Sequence, residues 1–358
     1  MKVINARNVN DALLLGIDLF NDDTQYRVQE SRNGTTYEAN QPVTTVYKRP
    51  WERVCLMKHR DANPFFHYIE GLWMLAGRKD LKPLTYFVKS MEDFSDDGET
   101  LWGSYGWRWR DYFHKNQLDI IVKMLKENPE DRRCVLQMWD ANKDLNRQGK
   151  DVPCNTNIYF KIRDDQLHMT VCNRSNDMLW GAYGANVVHM SMLQEYMASR
   201  IGVQIGTYRQ VSDSFHVYLN PVWDKVKDIE IDIYTQRDIK NPYDTLYVHT
   251  DYEQSDHVPL FADPDNLPWE LERFFNIFPV DNWLYDDLDE VDWVNPALKD
   301  IAVPMVKVYS AYKNGDFKHA YEKIYDIKAV DWRRACLEWI RKREMSLINK
   351  ADKGETYE

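Results

Sequence analysis

A short turn between two runs of alternating apolar residues constrains the fold of this chain more than any other feature. Residues 156–162 (TNIYFKI) and 166–173 (QLHMTVCN) have the two-residue period of strands, and residues 163–165 leave room only for a tight turn. The pattern predicts a β-hairpin, with another strand before it over residues 133–139 (RCVLQMW). A hairpin requires antiparallel pairing, so we expect an antiparallel or mixed sheet.

Helical periodicity occurs on both sides of the hairpin. Residues 187–201 carry apolar side chains at helical spacing and end at Gly202, a common helix stop, after which a strand is expected over residues 207–212. Residues 64–77 (PFFHYIEGLWMLAG) predict a buried helix, and residues 11–20 predict a shorter one. Helices and strands in this order indicate the α+β class.

The composition changes beyond about residue 240. The chain there is polar, acidic and rich in Pro and Asp, which favours long surface loops, and the last 50 or so residues return to helical periodicity, typical of a helical hairpin. We therefore expect a main domain over residues 1–240. Residues 241–358 would form acidic loops and a helical C-terminal extension packed on the same domain.

The overall charge excludes some partners. The formal net charge is −11, which opposes binding to a nucleic acid because such binding depends on Lys and Arg neutralising phosphates. A small phosphorylated ligand needs only a local basic pocket. No apolar run approaches the roughly 18 residues of a membrane-spanning helix, and the first 20 residues do not have the pattern of a signal peptide. We expect neither a nucleic acid nor a membrane as partner.

The five cysteines show no metal-ligand spacing, so no metal site is expected, and their odd number favours a reducing, cytoplasmic location. Cys154 differs from the others because it follows Pro153 and leads into the hairpin. A cysteine in such a place is more often a small buried apolar residue than a nucleophile. That interpretation is given to the other four, which are Cys55, Cys134, Cys172 and Cys336.

Four arginines favour Cys154 as a nucleophile. They are Arg32, Arg132, Arg133 and Arg174. Each alone is typical of a surface residue, but together they suit a phosphate monoester, whose charge and shape match the guanidinium fork, and Ser175 adds a hydroxyl donor. A thiol whose ordinary pKa is about 8.5 also becomes a useful thiolate near positive charge.

Eight motifs in order carry a resemblance to a known family. They are RNGT, HYIEGLWMLAG, YGWRW, DRRCVLQMW, PCN, RSND, WGAYGAN and FHVYLN. Over about residues 30–225 the chain is similar to the thymidylate synthase superfamily, and the RSND, YGW and HVY elements most resemble the phage deoxypyrimidine hydroxymethylase branch. The resemblance implies an α+β, three-layer sandwich with a large mixed sheet at a homodimer interface. It also implies that residues 1–240 are the catalytic domain of a one-carbon transferase with 5,10-methylenetetrahydrofolate as cofactor.

The resemblance assigns roles to individual residues. Cys154 would attack carbon 6 of a deoxypyrimidine monophosphate, which makes carbon 5 nucleophilic. Glu70, the one acid among apolar neighbours in its helix, would order water and move protons, and Tyr105 would lie near the proton that leaves carbon 5. The phosphate would be held by Arg32, Arg174 and Ser175 together with Arg132 and Arg133 of the partner subunit. The active sites would then be shared within the homodimer.

Three further residues match family positions that bind the sugar and the pterin. His216 and Tyr218 match the pair that binds the sugar hydroxyl, although a buried histidine with structural partners is the alternative for His216. Asp177 matches the carboxylate that hydrogen-bonds the pterin ring.

Two departures from the synthase pattern favour a hydroxymethylase. Asn155 stands where synthases usually have a histidine after the catalytic cysteine. Met91 and Phe94 align with tryptophans that pack on the folate. A synthase shields and reduces the exocyclic methylene intermediate, whereas a hydroxymethylase lets water add to it. An altered folate wall and an altered water-ordering group both favour hydration.

The choice of base depends on the residue that contacts the pyrimidine edge. An asparagine can donate to O4 and accept from N3–H, as uracil requires, whereas aspartate suits cytosine. Asn186 is the candidate, although the spacing from Gly181 is one residue longer than in the relatives and a gapless alignment would place Ala185 there. We favour dUMP over dCMP.

Other functions remain open at this point. The nearest alternatives are a thymidylate synthase that converts dUMP to dTMP and a dCMP hydroxymethylase. A non-catalytic nucleotide-binding subunit is disfavoured because such a protein has no need for Cys154, Glu70 and Tyr105 together.

Overall fold

A computed structural model describes residues 1–229, 231–232, 237–238, 257–278 and 286–352 of the chain. The strands are Lys2–Ala6 (β1), Tyr26–Ser31 (β2), Gly34–Ala39 (β3), Val43–Tyr47 (β4), Val135–Gln137 (β5), Asn155–Arg163 (β6), Gln166–Asp177 (β7), Gln204–Tyr218 (β8), Ile231–Asp232 (β9) and Arg237–Asp238 (β10). The helices are Val9–Phe20 (α1), Pro64–Leu75 (α2), Lys82–Thr85 (α3), Tyr105–Trp107 (α4), Gln117–Glu127 (α5), Asn186–Ile201 (α6), Pro221–Val226 (α7), Leu267–Ile277 (α8), Asp286–Asp289 (α9), Val303–Lys313 (α10), Phe317–Lys323 (α11) and Val330–Asp352 (α12). Short 3-10 or π-helical segments occupy Lys58–Arg60, Lys89–Phe94, Arg108–Tyr112, Met178–Ala185, Ala297–Ala302 and Ile324–Asp326.

Strands β1 to β8 form one large mixed sheet. Its main path runs in the order β1-β4-β8-β7-β6-β5, and the β2–β3 hairpin joins it by pairing β3 with β8. The β1–β4 and β7–β8 pairs are parallel, whereas the β4–β8, β6–β7 and β5–β6 pairs are antiparallel. The predicted α+β class and mixed sheet are therefore confirmed.

The predicted hairpin and its flanking helices have the expected local signals. The β6–β7 turn passes through Asp164 and Asp165, both at positive φ, a conformation that Asp tolerates better than most residues. Helix α2 starts at the cap of Asn63, whose side chain accepts from the Phe66 N–H, and α6 ends at Gly202 in the left-handed conformation (φ 90°). These signals determine where each element begins or ends.

Helices cover one face of the sheet. Helix α6 packs on β7 and β8 and separates them from α2, so the sheet, α6 and α2 lie in successive layers. On the opposite face Tyr159 is 39% exposed, and Lys161 and Arg209 also remain accessible among the described residues. An open face of this kind is available to a partner, and the predicted homodimer interface remains a prediction.

The C-terminal region packs against α2. Helices α8, α10 and α12 all contact α2; Phe65 in α2 meets Trp339 in α12 with ring centroids 5.6 Å apart, and the Tyr68 hydroxyl donates to the Ala297 carbonyl. The last part of the chain forms three helices, α10 to α12, where the sequence predicted a hairpin. No helix among the described residues is both long and apolar enough to span a membrane.

Beyond residue 240 the structure describes a helix that the sequence did not predict, whereas residues 257–266 form neither helix nor strand. Residues 267–277 form α8, and Leu260 and Phe261 are buried. The apolar residues Leu267, Leu271, Phe274 and Phe275 recur at helical spacing, and Pro268 stands in the first turn, but the surrounding Asp and Pro residues obscure this signal. Residues 241–256 and 279–285 lie outside the described residues.

Candidate active site

A cavity of about 930 Å³ opens at one end of the sheet, where α2, α6 and the loops before β6 meet. Five of the predicted site residues line it, namely Arg32, Glu70, Tyr105, Asn186 and Tyr218. Parallel β7 and β8 both end on this side, and α6 begins here, so the RSND, WGAYGAN and FHVYLN motifs converge. The topology thus brings together motifs that are far apart along the chain.

Cys154 lies beside the cavity at the start of β6. Its Sγ is 3.9 Å from Nη2 of Arg174, and Asp151, Tyr105 and Arg32 are its other charged or titratable neighbours. Burial raises the pKa of the Cys154 thiol, Arg174 and Arg32 oppose that rise, and Asp151 adds to it. The net direction is upward, so in the ligand-free chain the effect of burial on the thiol outweighs that of the two arginines.

Arg32 and Arg174 both hydrogen-bond the loop before Cys154. Arg32 donates to the carbonyls of Gly149 and Lys150, and Arg174 donates to those of Val152 and Pro153. Arg174 and part of Arg32 remain solvent-accessible, so each guanidinium keeps donors for a ligand. The loop places both cations on the Cys154 side of the cavity.

Of the five predicted phosphate ligands, Arg32 alone lines this cavity, and Arg174 lies beside it next to Cys154. Arg132, Arg133 and Ser175 do not line it either. Arg132 and Arg133 are exposed at the start of β5, where Arg133 forms a two-point pair with Asp131. Ser175 is half-buried in β7 and pairs in register with Ser214 of β8. The structure therefore does not bring the two β5 arginines to the cavity of their own chain.

Glu70 has a partner that the sequence did not predict. The Oε2 atom of Glu70 lies 2.9 Å from Nε2 of His189 in α6, and both side chains are buried. The expectation that Glu70 has only apolar neighbours is wrong, because the packing of α2 on α6 adds this histidine. His189 and the nearby His67 both line the cavity.

Tyr105 is held in place by a glycine. A Cβ added at Gly106 would lie 1.9 Å from the Met74 carbonyl oxygen, so only glycine allows α4 to pack this closely on α2. Burial, and then the nearby Cys154, raise the pKa of the Tyr105 hydroxyl. Tyr105 is therefore a neutral donor at neutral pH.

The longer spacing before Asn186 has a local explanation. Residues Met178–Ala185 are π-helical, and Tyr183 and Gly184 depart from helical angles. A π-bulge accommodates one extra residue in a helix, which matches the one-residue increase. Both Ala185 and Asn186 line the cavity, and Nδ2 of Asn186 donates to Oδ1 of Asn176.

A second cluster lies where β7 and β8 end. Asp177 Oδ1 accepts from the Trp180 N–H at 2.5 Å, and its Oδ2 is buried without a hydrogen-bond partner among the described residues. Burial raises the pKa of the Asp177 carboxyl, against the opposing effects of the Trp180 amide, His216 and Arg60. His216 is buried and contacts Tyr218 edge to face. Asp177 therefore offers a hydrogen-bonding oxygen to a ligand.

The cavity wall suits an extended aromatic ligand. Met91 and Phe94 both line it, as do Trp73 and Trp180. Arg60 is buried, stacks 4.4 Å from the Trp180 ring centroid, and has an unpartnered Nη2 within the described part of the chain. An unpaired donor and the unpaired Asp177 oxygen beside an apolar wall match the polar edge and flat ring of a pterin.

The sequence did not identify His189, Arg60 and Asp151. Asp151 lines the cavity and accepts from the Gly103 N–H, and burial raises the pKa of its carboxyl. No local pattern marks these residues, because their positions result from contacts between distant segments. The spacing of Asn186 and His189 on one face of α6 was the one available signal.

Comparison with known proteins identifies the family. The thymidylate synthase family model matches residues 24–251 of the chain. The chain is 42% identical to the deoxyuridylate hydroxymethyltransferase of Pseudomonas phage M6 over the full length of both proteins. It is 36% identical to the enzyme of the same name from Bacillus phage SP01, over 69% of this chain and 66% of that protein. A putative thymidylate synthase of Methanosarcina mazei is 28% identical over 64% of this chain and 94% of that protein.

Proposed function

Because this chain belongs to the thymidylate synthase family, we propose that it is a folate-dependent deoxyuridylate hydroxymethyltransferase, which converts dUMP to its 5-hydroxymethyl derivative. The observation that carries the proposal is the placement of Cys154 and Arg174 beside a cavity lined by Glu70 and Tyr105. The full-length similarity to a phage enzyme of that name supports the same reaction.

Arg32, Arg174 and Ser175 bind the nucleotide phosphate in this proposal. Both guanidinium groups hydrogen-bond the loop before Cys154, so a phosphate held by them would bring the pyrimidine close to the thiol. Arg132 and Arg133 are exposed and do not line the cavity of their own chain, which is consistent with donation to the site of a partner subunit. Tyr218 lines the cavity and, with His216, would bind the sugar hydroxyl.

Cys154 provides covalent catalysis. Its sulfur adds to carbon 6 of the pyrimidine, and the electron pair of the C5–C6 double bond moves to carbon 5 and O4, which makes carbon 5 a nucleophile. Burial keeps the pKa of the Cys154 thiol raised in the free chain, so the thiol must lose its proton within the nucleotide complex. Glu70 and Tyr105 line the cavity at positions where they can move protons to and from the base.

The cofactor in this proposal is 5,10-methylenetetrahydrofolate, which supplies a one-carbon unit at the oxidation level of formaldehyde. Asp177 and Arg60 would hydrogen-bond the pterin edge, and Met91, Phe94 and Trp180 would pack against the rings. These assignments rest on the unpaired polar atoms and the apolar wall described above.

Uracil is the base that suits Asn186. One Nδ2 hydrogen is engaged by Asn176, which leaves the other for O4 of uracil and leaves Oδ1 free to accept from N3–H. The hydrogen bond to Asn176 fixes the orientation of the amide. Cytosine has a donor amine at carbon 4 and no proton on N3, so neither of these two hydrogen bonds could form with the amide in this orientation.

The proposal extends to assembly and location. The open face of the sheet would form a homodimer, and the extension over residues 241–358 would belong to the same domain as residues 1–240, because its described helices pack on α2. The similarity to phage enzymes favours action in the cytoplasm of a host cell.

Mass spectrometry of the product tests the proposal. Incubation with dUMP and 5,10-methylenetetrahydrofolate should yield 5-hydroxymethyl-dUMP and tetrahydrofolate, and a parallel incubation with dCMP should yield much less 5-hydroxymethyl product. Formation of dTMP and dihydrofolate, with the absorbance change that dihydrofolate produces, would instead identify a thymidylate synthase. The Cys154→Ser variant should lose turnover but retain nucleotide binding, because the arginines and not the thiol supply ground-state affinity. Wild-type turnover by that variant would contradict the covalent mechanism.

A further inference from the structure

A buried hydrogen bond joins His189 of α6 to Glu70 of α2. His189 is 2% exposed and Glu70 is 7% exposed, and the Nε2–Oε2 distance is 2.9 Å. Both line the cavity beside Cys154. A buried pair at a reaction site restricts the orientation of both side chains.

Close packing of two helices fixes the separation of the pair. A Cβ added at Gly71, the residue after Glu70, would lie 2.5 Å from Sδ of Met192, three residues after His189. A larger residue at position 71 would have to displace the Met192 side chain. The pair is therefore held by the packing of α2 on α6 and not by two flexible surface side chains.

The surroundings of His189 determine which partner donates. Nδ1 of His189 is buried and has no hydrogen-bond partner in the described part of the chain. A proton on Nδ1 would be a buried unpaired donor, which costs about 1–3 kcal/mol. The proton therefore lies on Nε2, so His189 donates and Glu70 Oε2 accepts.

Three other titratable side chains around the cavity are already engaged or neutral. Burial, and then Arg60 and His189, hold the pKa of His67 well below its ordinary value, so His67 is neutral. Asp61 is paired with Arg343 and Lys342, and Asp151 accepts from Gly103. Oε1 of Glu70, by contrast, has no hydrogen bond to any residue that the structure describes. That oxygen is available to a water molecule.

We propose that His189 is a positioning residue for water addition: it occupies Oε2 of Glu70 and directs Oε1 at the water that attacks the substrate. This inference rests on the proposed function, because only hydroxymethylation includes that step. The choice of hydration over reduction then depends in part on His189, a residue of α6.

The step balances in atoms and electrons. Water attacks the exocyclic methylene carbon of the Cys154-bound pyrimidine, a C–O bond forms, and the methylene π pair moves to give the C4 enolate. Oε1 of Glu70 accepts the proton that the water loses. The enolate then collapses: the C4 carbonyl and the C5–C6 double bond re-form, and the C6–S bond breaks. This releases the Cys154 thiolate. Glu70 returns its proton to that sulfur or to solvent.

Two substitutions at position 189 distinguish the loss of the N–H donor from a change in side-chain volume. His189→Gln keeps an N–H donor near the position of Nε2, whereas His189→Leu removes it at similar volume. We expect His189→Leu to lower kcat about 100-fold with little change in the KM for dUMP, and His189→Gln to retain most of kcat. Because His189 acts through Glu70, the His189→Leu/Glu70→Gln double variant should be within about threefold of Glu70→Gln alone.

A competition experiment provides a ratio that does not depend on the folded fraction. With 2-mercaptoethanol in the assay, the methylene intermediate is captured by either water or the thiol, and the ratio of 5-hydroxymethyl to 5-thioether product measures water addition. His189→Leu should lower this ratio at least tenfold, and His189→Gln should restore it. His67→Gln, a change to another buried histidine of the same cavity, should leave the ratio at the wild-type value.

The outcomes distinguish the inference from the proposed function. Calorimetric binding of dUMP without folate should be the same for wild type and His189→Leu, which checks that the nucleotide site is intact. An unchanged product ratio in His189→Leu, or equal impairment of the Gln and Leu variants, would overturn the role of His189. Formation of dTMP by the wild-type enzyme would overturn the proposed function itself.

Discussion

At the scale of single residues, burial and charge act in opposite directions on Cys154. Burial raises the pKa of the thiol, whereas the guanidinium of Arg174, 3.9 Å from Sγ, lowers it. The free chain therefore keeps most of its Cys154 protonated at neutral pH. A protonated thiol reacts more slowly with oxidants than a thiolate, so the half-buried Cys154 is protected from unwanted oxidation until the substrate arrives.

Removal of Arg174 should move the titration of Cys154 to higher pH. In Arg174→Ala the opposing charge is lost and the effect of burial remains, so the thiolate forms only at higher pH. Mass spectrometry of the Cys154 peptide after iodoacetamide treatment over a pH series measures this midpoint. Arg27→Ala, which removes an exposed arginine of β2, is the matched control and should leave the midpoint where it is. A midpoint that does not move in Arg174→Ala would argue against the contact.

Asn186→Asp should shift preference from dUMP towards dCMP. A carboxylate accepts from the exocyclic amine of cytosine, and the loss of a matched hydrogen bond to uracil costs about 1–3 kcal/mol, or roughly tenfold or more in relative kcat/KM. Steady-state kinetics on both nucleotides measure the ratio. Asn33→Asp adds the same charge to the same cavity and should weaken both nucleotides alike. An unchanged ratio in Asn186→Asp would mean that another group contacts the base.

The motifs of the sequence predicted more of the site than its hydrophobic pattern did. Tyr105, Asn186 and Tyr218 lie on the cavity wall, and each belongs to a motif. His189 and Arg60 were missed because a histidine in an apolar helix, or an arginine in a charged loop, has no local signature. Their neighbours are supplied by other segments of the chain, so only the packed structure identifies them.

At the scale of elements, the strands that carry function extend beyond their apolar patterns. Alternation predicted strands that end at residues 173 and 212, but β7 continues to Asp177 and β8 to Tyr218. The residues added to β7 are polar, and they pair with the end of β8, as Asp177 does with His216. The end of β8 does bury Phe215 and Val217, but polar residues surround them in the sequence, so two apolar positions are too few to give a clear alternating pattern.

Helix α12 connects the C-terminal region to the cavity. Arg343 donates to both carboxylate oxygens of Asp61, a cavity residue with a positive φ of 52° that follows Arg60. Arg343→Met should change the free energy of unfolding by less than about 1 kcal/mol, because the pair is partly exposed. The KM for the folate should nevertheless rise several-fold, because the segment that carries Arg60 loses its support.

Steady-state kinetics with either substrate varied, together with urea unfolding, separate these two effects. Arg334→Met removes an arginine that pairs with Glu338 on the same helix, and it should leave the folate KM unchanged. Equal effects of the two substitutions would show that the contact with Asp61 has no special importance.

Asp331, at the start of α12, should make stability depend on pH. Burial raises the pKa of its carboxyl to about 6, above the ordinary value of 3.8, so the folded state binds the proton more tightly than the unfolded state. Its contribution to stability is present below pH 4 and is lost as pH rises through 6. Asp331→Asn should therefore raise the free energy of unfolding by roughly 1–3 kcal/mol at pH 8 and by little at pH 4.

Urea unfolding at the two pH values measures this difference. Asp326→Asn changes an exposed carboxyl of the preceding turn and should show no such pH-dependent gain. A gain from Asp331→Asn that is equal at both pH values would mean that the carboxyl does not titrate in this window.

At the scale of the whole molecule, subunits with different defects should complement each other. If Arg133 serves the partner's site, a mixed dimer of Cys154→Ala and Arg133→Ala subunits contains one complete site, so equal mixing should restore about a quarter of wild-type activity. Activity after joint refolding measures this. A mixture of Cys154→Ala with Arg32→Ala is the control, since both residues serve the same subunit's site and no complete site can form. Failure of the first mixture would argue against shared sites.

The position of β8 also determines the order in which the molecule can fold. This strand pairs with β3, β4 and β7, so the amino-terminal strands have no central neighbour until residues 204–218 have been synthesised. Pairing between segments so distant in sequence gives a high contact order, which slows folding because a long loop must close before the contacts form. The nascent chain therefore leaves the ribosome with its hairpins and helices formed locally but without the complete sheet, and a chaperone has its longest opportunity to bind before β8 emerges.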